Sequence, residues 1–448
     1  MLTQEQNQRL TQTDAGTPMG ALFRAYWIPV LLSRELPEPD GAPVRVRVLG
    51  EDLLAFRDSS GQVGLISPRC PHRGADLYFG RNEEAGIRCA YHGWKFDRQG
   101  QCVDMPTSDP ATVCRIRDRA RITAYPVQEW ADMVWAYLGS GEPPALPLME
   151  LGLVPASHRF VSKKLQECNW AQAAEGGIDT AHFSFLHQPI SSTDADWVHK
   201  SERATRGYSP QTMNHEHLRW MRDDPQPKYE VLKHGAGLVL GGSRKANEGE
   251  RYWRVAQYLM PAHGYTPSAM PGQNFLGQTW IPIDDHSCWI YVYAWNPDRP
   301  LTPEEVEQYT QGGAVFAQVD AHFKPLRHRG NEYLMDRQRQ KHENFTGIVG
   351  VSEQDAAIQD SQGLIADRTR EMLSATDLGV VRFRHLMLDA AEQLAQGKSP
   401  LGRDDPGAYT VRAGAQVAPE GLSLSEVMTL RFGHPLGHAA RHVTDGSV

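Results

Sequence analysis

The stretch CPHRGADLYFGRNEEAGIRCAYHGW, residues 70–94, contains Cys70-x-His72 and, after sixteen intervening residues, Cys89-x-x-His92. Each pair reads as the tip of a loop between short strands, so two loops can close over one metal centre from opposite sides. Two thiolates and two imidazoles suit either a tetrahedral zinc or a [2Fe–2S] cluster with histidines on one iron. The tight Cys-x-His spacing favours the cluster, with Cys70 and Cys89 on one iron and His72 and His92 on the other. Pro71 stiffens the first loop, and Gly93 lets the second approach the centre closely. A zinc ribbon uses the same ligand types and stays the alternative on these residues alone.

The flanking text is strand-like. VRVRVLG (44–50), DLLAFRDSSGQVGLI (52–66), GWKFDRQGQCV (93–103) and MVWAYLG (133–139) alternate apolar and polar positions between turn residues, which predicts a small all-β domain. SGEPPALPLMELGLVP (140–155) is rich in Pro and Gly without periodicity and reads as a linker. At 448 residues the chain exceeds what one core usually supports, so a second domain is expected. Longer strands follow in YWRVAQYLM (252–260), NFLGQTWIPI (274–283) and CWIYVYAW (288–295), joined by turns such as ANEGE and DDHS. With no helical crossovers between them, they predict an antiparallel sheet. From Pro303 the chain reads as mainly helical, with one clear helix capped by Asp377 and ending at Gly397. The resulting division is 1–150, 151–400 and a surface tail over 401–448.

A second motif lies in NWAQAAEGGIDTAHFSFLH (169–187), which contains Asp179-x-x-His182-x4-His187. Five residues turn a regular helix by about 500°, so the two rings can share a metal only if the helix bulges or breaks near Phe183–Leu186. Two unrelated buried histidines are the plain alternative. Two histidines and one carboxylate make the facial triad of non-haem ferrous oxygenases, which leaves positions open for substrate and oxygen. On the residues alone, Asp179 reads as a helix cap or a surface carboxylate.

The 70–94 string, with GTPMGALFRAYWIPVLLSRELPEPDG (16–41), resembles the Rieske non-haem iron ring-hydroxylating oxygenases, and the phthalate dioxygenase group in particular, over roughly residues 1–400. The resemblance implies an α+β chain: an N-terminal all-β Rieske domain, then a helix-grip (START-like) catalytic domain with a curved antiparallel sheet. It implies a [2Fe–2S] cluster and a catalytic Fe(2+) held by His182, His187 and a late carboxylate. GVSEQDAAIQDSQG (350–363) matches that late position with Asp355, and Asp360 is the rival. The equivalent of Asp179 bridges a cluster histidine of one subunit to an iron-bound histidine of the next. Carried over, electrons pass from His92 through the partner subunit's Asp179 to His182, within a homotrimer or a stacked pair of trimers.

The implied activity is ring dihydroxylation of an aromatic carboxylate of phthalate or substituted-benzoate type, using O2. Monooxygenation or O-demethylation, a Rieske electron-transfer protein without catalysis, and a zinc-stabilised binding protein are the alternatives. No G-x-G-x-x-G follows a strand and no flavin motif appears, so a separate NAD(P)H-dependent reductase is expected. An anionic substrate needs a fixed cation, for which Arg244 and Arg206 are the candidates; either also reads as a surface salt-bridge residue. A net charge of −8 speaks against nucleic acid, and no stretch of about 20 apolar residues is present to span a membrane. The polar start MLTQEQNQRLTQTDAG lacks a signal-peptide pattern, so a cytoplasmic protein is expected. Cys102, Cys114, Cys168 and Cys288 read as small buried hydrophobes, and His434, His438 and His442 as a solvated polar surface.

Overall fold

The computed structural model describes residues 1–205 and 215–439, which fall into two compact units. The smaller comprises Gln12–Pro144 with Ile281–Asp285. Three short antiparallel sheets build it. Trp27–Leu32, Met133–Tyr137 and Val127–Trp130 form one; Val44–Val48, Glu51–Arg57, Val63–Ile66 and Ala124–Tyr125 form the second; Arg81–Glu83, Gly86–Arg88, Lys95–Phe96 and Cys102–Asp104 form the third. The VRVRV alternation explains the second sheet: Val46 and Val48 are buried while Arg45 and Arg47 face solvent. Its hairpin closes through Leu49 and Gly50, both at positive φ as a tight turn of this hand requires. Phe56, Ile66, Leu77, Ile87, Trp94 and Phe96 make the core, and Cys70 and Cys89 are part of it.

The larger unit is organised on an eight-stranded sheet. In spatial order its strands are Arg159–Gln166, Ser287–Trp295, Phe275–Asp284, His263–Tyr265, Glu250–Leu259, Gly237–Lys245 and Lys228–His234, and Gly414–Pro419 adds to Glu250–Leu259. The pairings are antiparallel, in keeping with the absence of crossover helices. Helix Leu378–Ala395 packs on Lys228–His234 and Gly237–Lys245 and against helix Trp170–Ile178, which also meets Val351–Ser361. Helix Trp170–Ile178 approaches Val351–Ser361 closely at Gly176 and the sheet strand Phe275–Asp284 closely at Gly177. A Cβ on Gly176 would overlap Gln359, and one on Gly177 would overlap the Trp280 ring.

A buried ion network fixes this arrangement. Glu175 accepts from Arg368 Nε at 2.9 Å and from Arg384 Nε at 2.7 Å, and Arg384 also pairs with Glu371. Burial works against the Glu175 carboxylate, but Arg368 and Arg384 outweigh it and hold its pKa below the ordinary value.

Several sequence expectations differ from the structure, among them Cys114, expected as a buried hydrophobe, which is exposed because it lies on the solvent face of helix Pro110–Ile116. Of the surface tail expected over 401–448, the described residues 401–439 are not a tail: Gly414–Pro419 is a sheet strand, and helix Leu424–Phe432 buries Leu424, Val427 and Met428 against Val239, Trp253 and Val255. Short apolar spacing between glycines disguised both elements. The first eleven residues belong with the larger unit, because Leu2 and Leu10 are buried and Asn7 Oδ1 accepts from Arg368.

Candidate metal centres

The two loops of the first motif share one backbone design. Cys70 N–H donates to Ala75 O and Gly74 N–H to Cys70 O; Cys89 N–H donates to Trp94 O and Gly93 N–H to Cys89 O. In each loop the glycine four residues after the cysteine sits at positive φ, +73° for Gly74 and +75° for Gly93. The equivalent turns aim two buried sulfurs and two more exposed rings toward one point. Cys70 and Cys89 are 2% and 3% exposed, and the His72 and His92 ring centroids are 4.4 Å apart. His72 stacks on Trp94 at 4.6 Å, and Thr107 Oγ1 donates to His92 O at 2.9 Å. Burial pushes the Cys70 thiol up to about 11, so a Cys70 thiolate here calls for the positive charge of bound iron. The donor set fits the cluster.

In the larger unit helix Trp170–Ile178, capped by Asn169, ends earlier than the expected break at Phe183–Leu186. Asp179 takes extended backbone at its C-terminus, and His182 follows on a short 3₁₀ turn, His182–Ser184. The chain thereby leaves the helix before either histidine, which removes the angular conflict of a five-residue spacing. The rings lie 5.1 Å apart at 73°. Asp355, on Val351–Ser361, places Oδ1 at 3.5 Å from His182 Nε2 and 3.1 Å from His187 Nε2.

The far side of each ring is tied down. His182 Nδ1 lies 3.2 Å from Asp179 Oδ2, and His187 Nδ1 lies 2.7 Å from Gln354 Oε1. The Gln354 amide nitrogen donates to Ile348 O, which orients its oxygen toward the ring. Both partners accept, so each imidazole donates from Nδ1 and presents a bare Nε2 lone pair inward. Those two Nε2 atoms are buried and make no hydrogen bond. Burial disfavours the Asp355 carboxylate; protonated His187 and His182 rings hold its pKa below the ordinary value, and a bound metal cation would take the place of those protons at Nε2. Asp360 faces elsewhere: it accepts from Tyr333 O–H, and burial raises its pKa. Among the described residues, His182, His187 and Asp355 are the one group of three such side chains whose ligand atoms all lie within 4.8 Å. Two neutral imidazoles and a carboxylate suit ferrous iron.

Asp179 is partly buried on the same turn. It accepts from Ala181 N–H at 2.7 Å and from Tyr229 O–H at 3.2 Å, besides the His182 ring. Burial opposes its charge, and the His182 hydrogen bond overrides that, so its pKa lies below the ordinary carboxylate value. Arg244 is fully buried beside this turn. Its Nη2 donates to Thr180 O at 2.7 Å, while Nε and Nη1 have no partner. Arg254, which the sequence reading missed, joins it: Nε donates to Thr180 Oγ1 at 3.0 Å, the guanidinium covers Phe183 at 4.3 Å, and Nη1 has no partner. The ANEGE hairpin pairs Arg244 with Tyr252, so Arg254 falls two residues on and on the same face; this register was the available signal. Gln354 and Tyr229 were also missed, since neither residue type marks a site by itself. Arg206 lies outside the described residues, as does His442; His434 and His438 are partly buried with ring centroids 4.7 Å apart.

Residues 26–126 match the Rieske [2Fe-2S] domain family, and residues 145–420 match the family described as LigXa C-terminal domain like. The chain is 39% identical to the phthalate 4,5-dioxygenase oxygenase subunit of Pseudomonas putida, over 90% of this chain and 89% of that one. It belongs to the Rieske non-haem iron oxygenases.

Such an oxygenase component carries a [2Fe–2S] cluster and a mononuclear iron, and works in a multicomponent system with a separate electron-transfer protein. A second Rieske oxygenase subunit, that of 3-chlorobenzoate-3,4-dioxygenase from Comamonas testosteroni, is 36% identical over 94% of this chain and 96% of its own length. The structure of dicamba monooxygenase bound to dicamba shares the fold, with a TM-score of 0.54 at 17% identity, covering 84% of this chain and all of that one. No helix among the described residues is long and apolar enough to cross a membrane.

Proposed function

We propose that this protein is the oxygenase component of a dioxygenase that hydroxylates an aromatic ring bearing a carboxylate, supplied with electrons by a separate NAD(P)H-dependent reductase. The observation that carries the substrate class is the pair of buried guanidiniums, Arg244 and Arg254, with unpartnered N–H groups beside the turn that bears His182. An unpaired buried cation is costly, and an aromatic acid supplies the missing acceptor in the geometry a guanidinium prefers. Both named relatives act on aromatic acids, phthalate and 3-chlorobenzoate.

In this reading Cys70, Cys89, His72 and His92 hold the cluster, and His182, His187 and Asp355 hold the ferrous ion. Iron, when bound, supplies dioxygen activation with electrons passed on from the cluster. The overall change is balanced as ring plus O2 plus two electrons plus two protons giving a cis-dihydrodiol. The chain's own residues orient and select. Asp179 and Gln354 fix the two imidazole tautomers, Phe183 and the Arg254 stem line the approach to the turn, and Arg244 and Arg254 bind the carboxylate. Asp179 also carries electrons between subunits, accepting from His92 of the adjacent chain as well as from its own His182. That role requires a head-to-tail ring, a homotrimer or a hexamer of stacked trimers, because heterologous contacts must close to stay soluble.

The test is turnover of a panel of aromatic acids under labelled O2. Both oxygen atoms entering one ring supports the reading. Incorporation of a single atom, or release of formaldehyde from a methoxy acid, would instead make the protein a monooxygenase or O-demethylase.

A further inference from the structure

The sequence RIRDRAR, residues 115–121, places four arginines against one aspartate in a chain whose net charge is −8. Arg115, Arg117, Arg119 and Arg121 are all exposed, and among the described residues their one ion pair, Arg117 with Asp118 at 3.8 Å, lies on solvent-facing side chains. Exposed pairs of that kind contribute little, so the ridge keeps most of its positive field. The arginines are displayed by helix Pro110–Ile116 and the 3₁₀ turn Arg117–Arg119. Ala120 lies in the core that contains Cys70 and Cys89, and Val113, Ile116 and Ile122 pack against it. The segment just before the helix touches the cluster loops directly: Thr107 bonds to His92 O, and Pro106 meets the positive-φ turn at Gly93. A basic ridge anchored on the cluster core is therefore tied by a few residues to the loop bearing His92.

Clustered, exposed like charges are unfavourable for the isolated fold. Their physical use is to steer and orient an oppositely charged partner. We infer that the ridge Arg115–Arg121 is the docking surface for an acidic iron–sulfur electron carrier that reduces the cluster. This rests on the reading of the chain as an oxygenase component.

Cluster reduction tests it without reference to the substrate. An acidic plant-type [2Fe–2S] ferredoxin is reduced by its NADPH reductase, mixed with the oxidised holoenzyme, and bleaching of the cluster is followed by stopped flow. Wild-type reduction should slow steeply as salt rises. R117E/R119E should lower the second-order rate constant by on the order of tenfold or more and flatten the salt dependence. Bleaching by dithionite and the size of the assembly should be unchanged, and loss of dithionite bleaching in the wild type would overturn the parent reading instead. The native protein offers a second measurement, because Cys114 on the same helix is the one exposed cysteine among the six. Excess ferredoxin should protect Cys114 from a maleimide. Unprotected Cys114 together with a wild-type rate in R117E/R119E overturns the inference. So does a wild-type rate indifferent to salt, or dissociation of the oligomer in the variant, which would make the ridge a subunit contact.

Discussion

Arg244→Met separates a binding role from a structural one, because the two predict opposite effects. Burial, followed by the nearby Arg254 charge, pushes the Arg244 guanidinium down to about 10 from its ordinary 12.5. That fall corresponds to about 3 kcal/mol by which the charged group is disfavoured in the unliganded fold. At neutral pH the group is charged in both folded and unfolded chains, so the whole penalty is present. It is relieved only as pH rises from about 10 toward the ordinary value, where the unfolded chain binds the extra proton. Methionine fills similar volume without charge, removing the penalty and forfeiting the bond to Thr180 O, which is worth about 1 kcal/mol. The ligand-free variant should therefore be as stable as the wild type or more stable by about 1–2 kcal/mol, with Tm unchanged or raised a few degrees. Binding should move the other way. A charge-assisted guanidinium–carboxylate pair contributes roughly 1.5–3 kcal/mol, so Kd for a carboxylated ring should rise about 10- to 150-fold. The corresponding neutral amide should bind within about threefold of wild type. Calorimetric titration and thermal melts of the same preparations read both quantities. A Tm lowered by several degrees with equal losses for acid and amide would show that Arg244 holds the Asp179–Ser184 turn and does not bind substrate.

Three further outcomes are expected. His182→Ala, His187→Ala and Asp355→Ala should each lose mononuclear iron while retaining the cluster's visible spectrum, whereas Asp360→Ala should keep both; metal analysis would refute the triad if Asp360→Ala alone lost iron. Asp179→Asn should keep both metals and the oligomer yet lose most turnover, because one of the two accepting oxygens becomes a donating NH2 that opposes an imidazole N–H, and full turnover would exclude the bridging role. Glu175→Gln should destabilise the fold by about 3–5 kcal/mol by leaving Arg368 and Arg384 buried with a weakened partner. The wild-type carboxylate, whose pKa is lower folded than unfolded, should lose its contribution as pH falls through the folded value, and a Glu175→Gln difference that persists at low pH would contradict this.

The cluster loops were legible because their information is local. Cysteine, histidine and a glycine at a fixed offset define each turn, and neither depends on distant chain. The iron-site histidines were legible as a pair, but the helix break was read too late: Gly176 and Gly177 serve close packing against Gln359 and Trp280, and the chain leaves the helix at Asp179, immediately after Ile178. Asp355 could be reached only through resemblance, since nothing local distinguishes it from Asp360; what separates them is the rotation of one helix, which aims Asp355 at His187 and Asp360 at Tyr333. Arg254 and Gln354 act through register and packing, which sequence spacing reports weakly. The strand Gly414–Pro419 was hidden for the same reason, as its pairing partner lies far back in the chain.

The most direct measurement of the two-centre account is the Mössbauer spectrum of the iron-enriched holoenzyme, oxidised and then reduced without oxygen. The expected result is a Rieske pair with inequivalent irons, one thiolate-bound and one imidazole-bound, beside a separate high-spin ferrous doublet, with areas of about two to one. A colourless protein whose metal is zinc, or a cluster signal with no separate ferrous doublet, would contradict it.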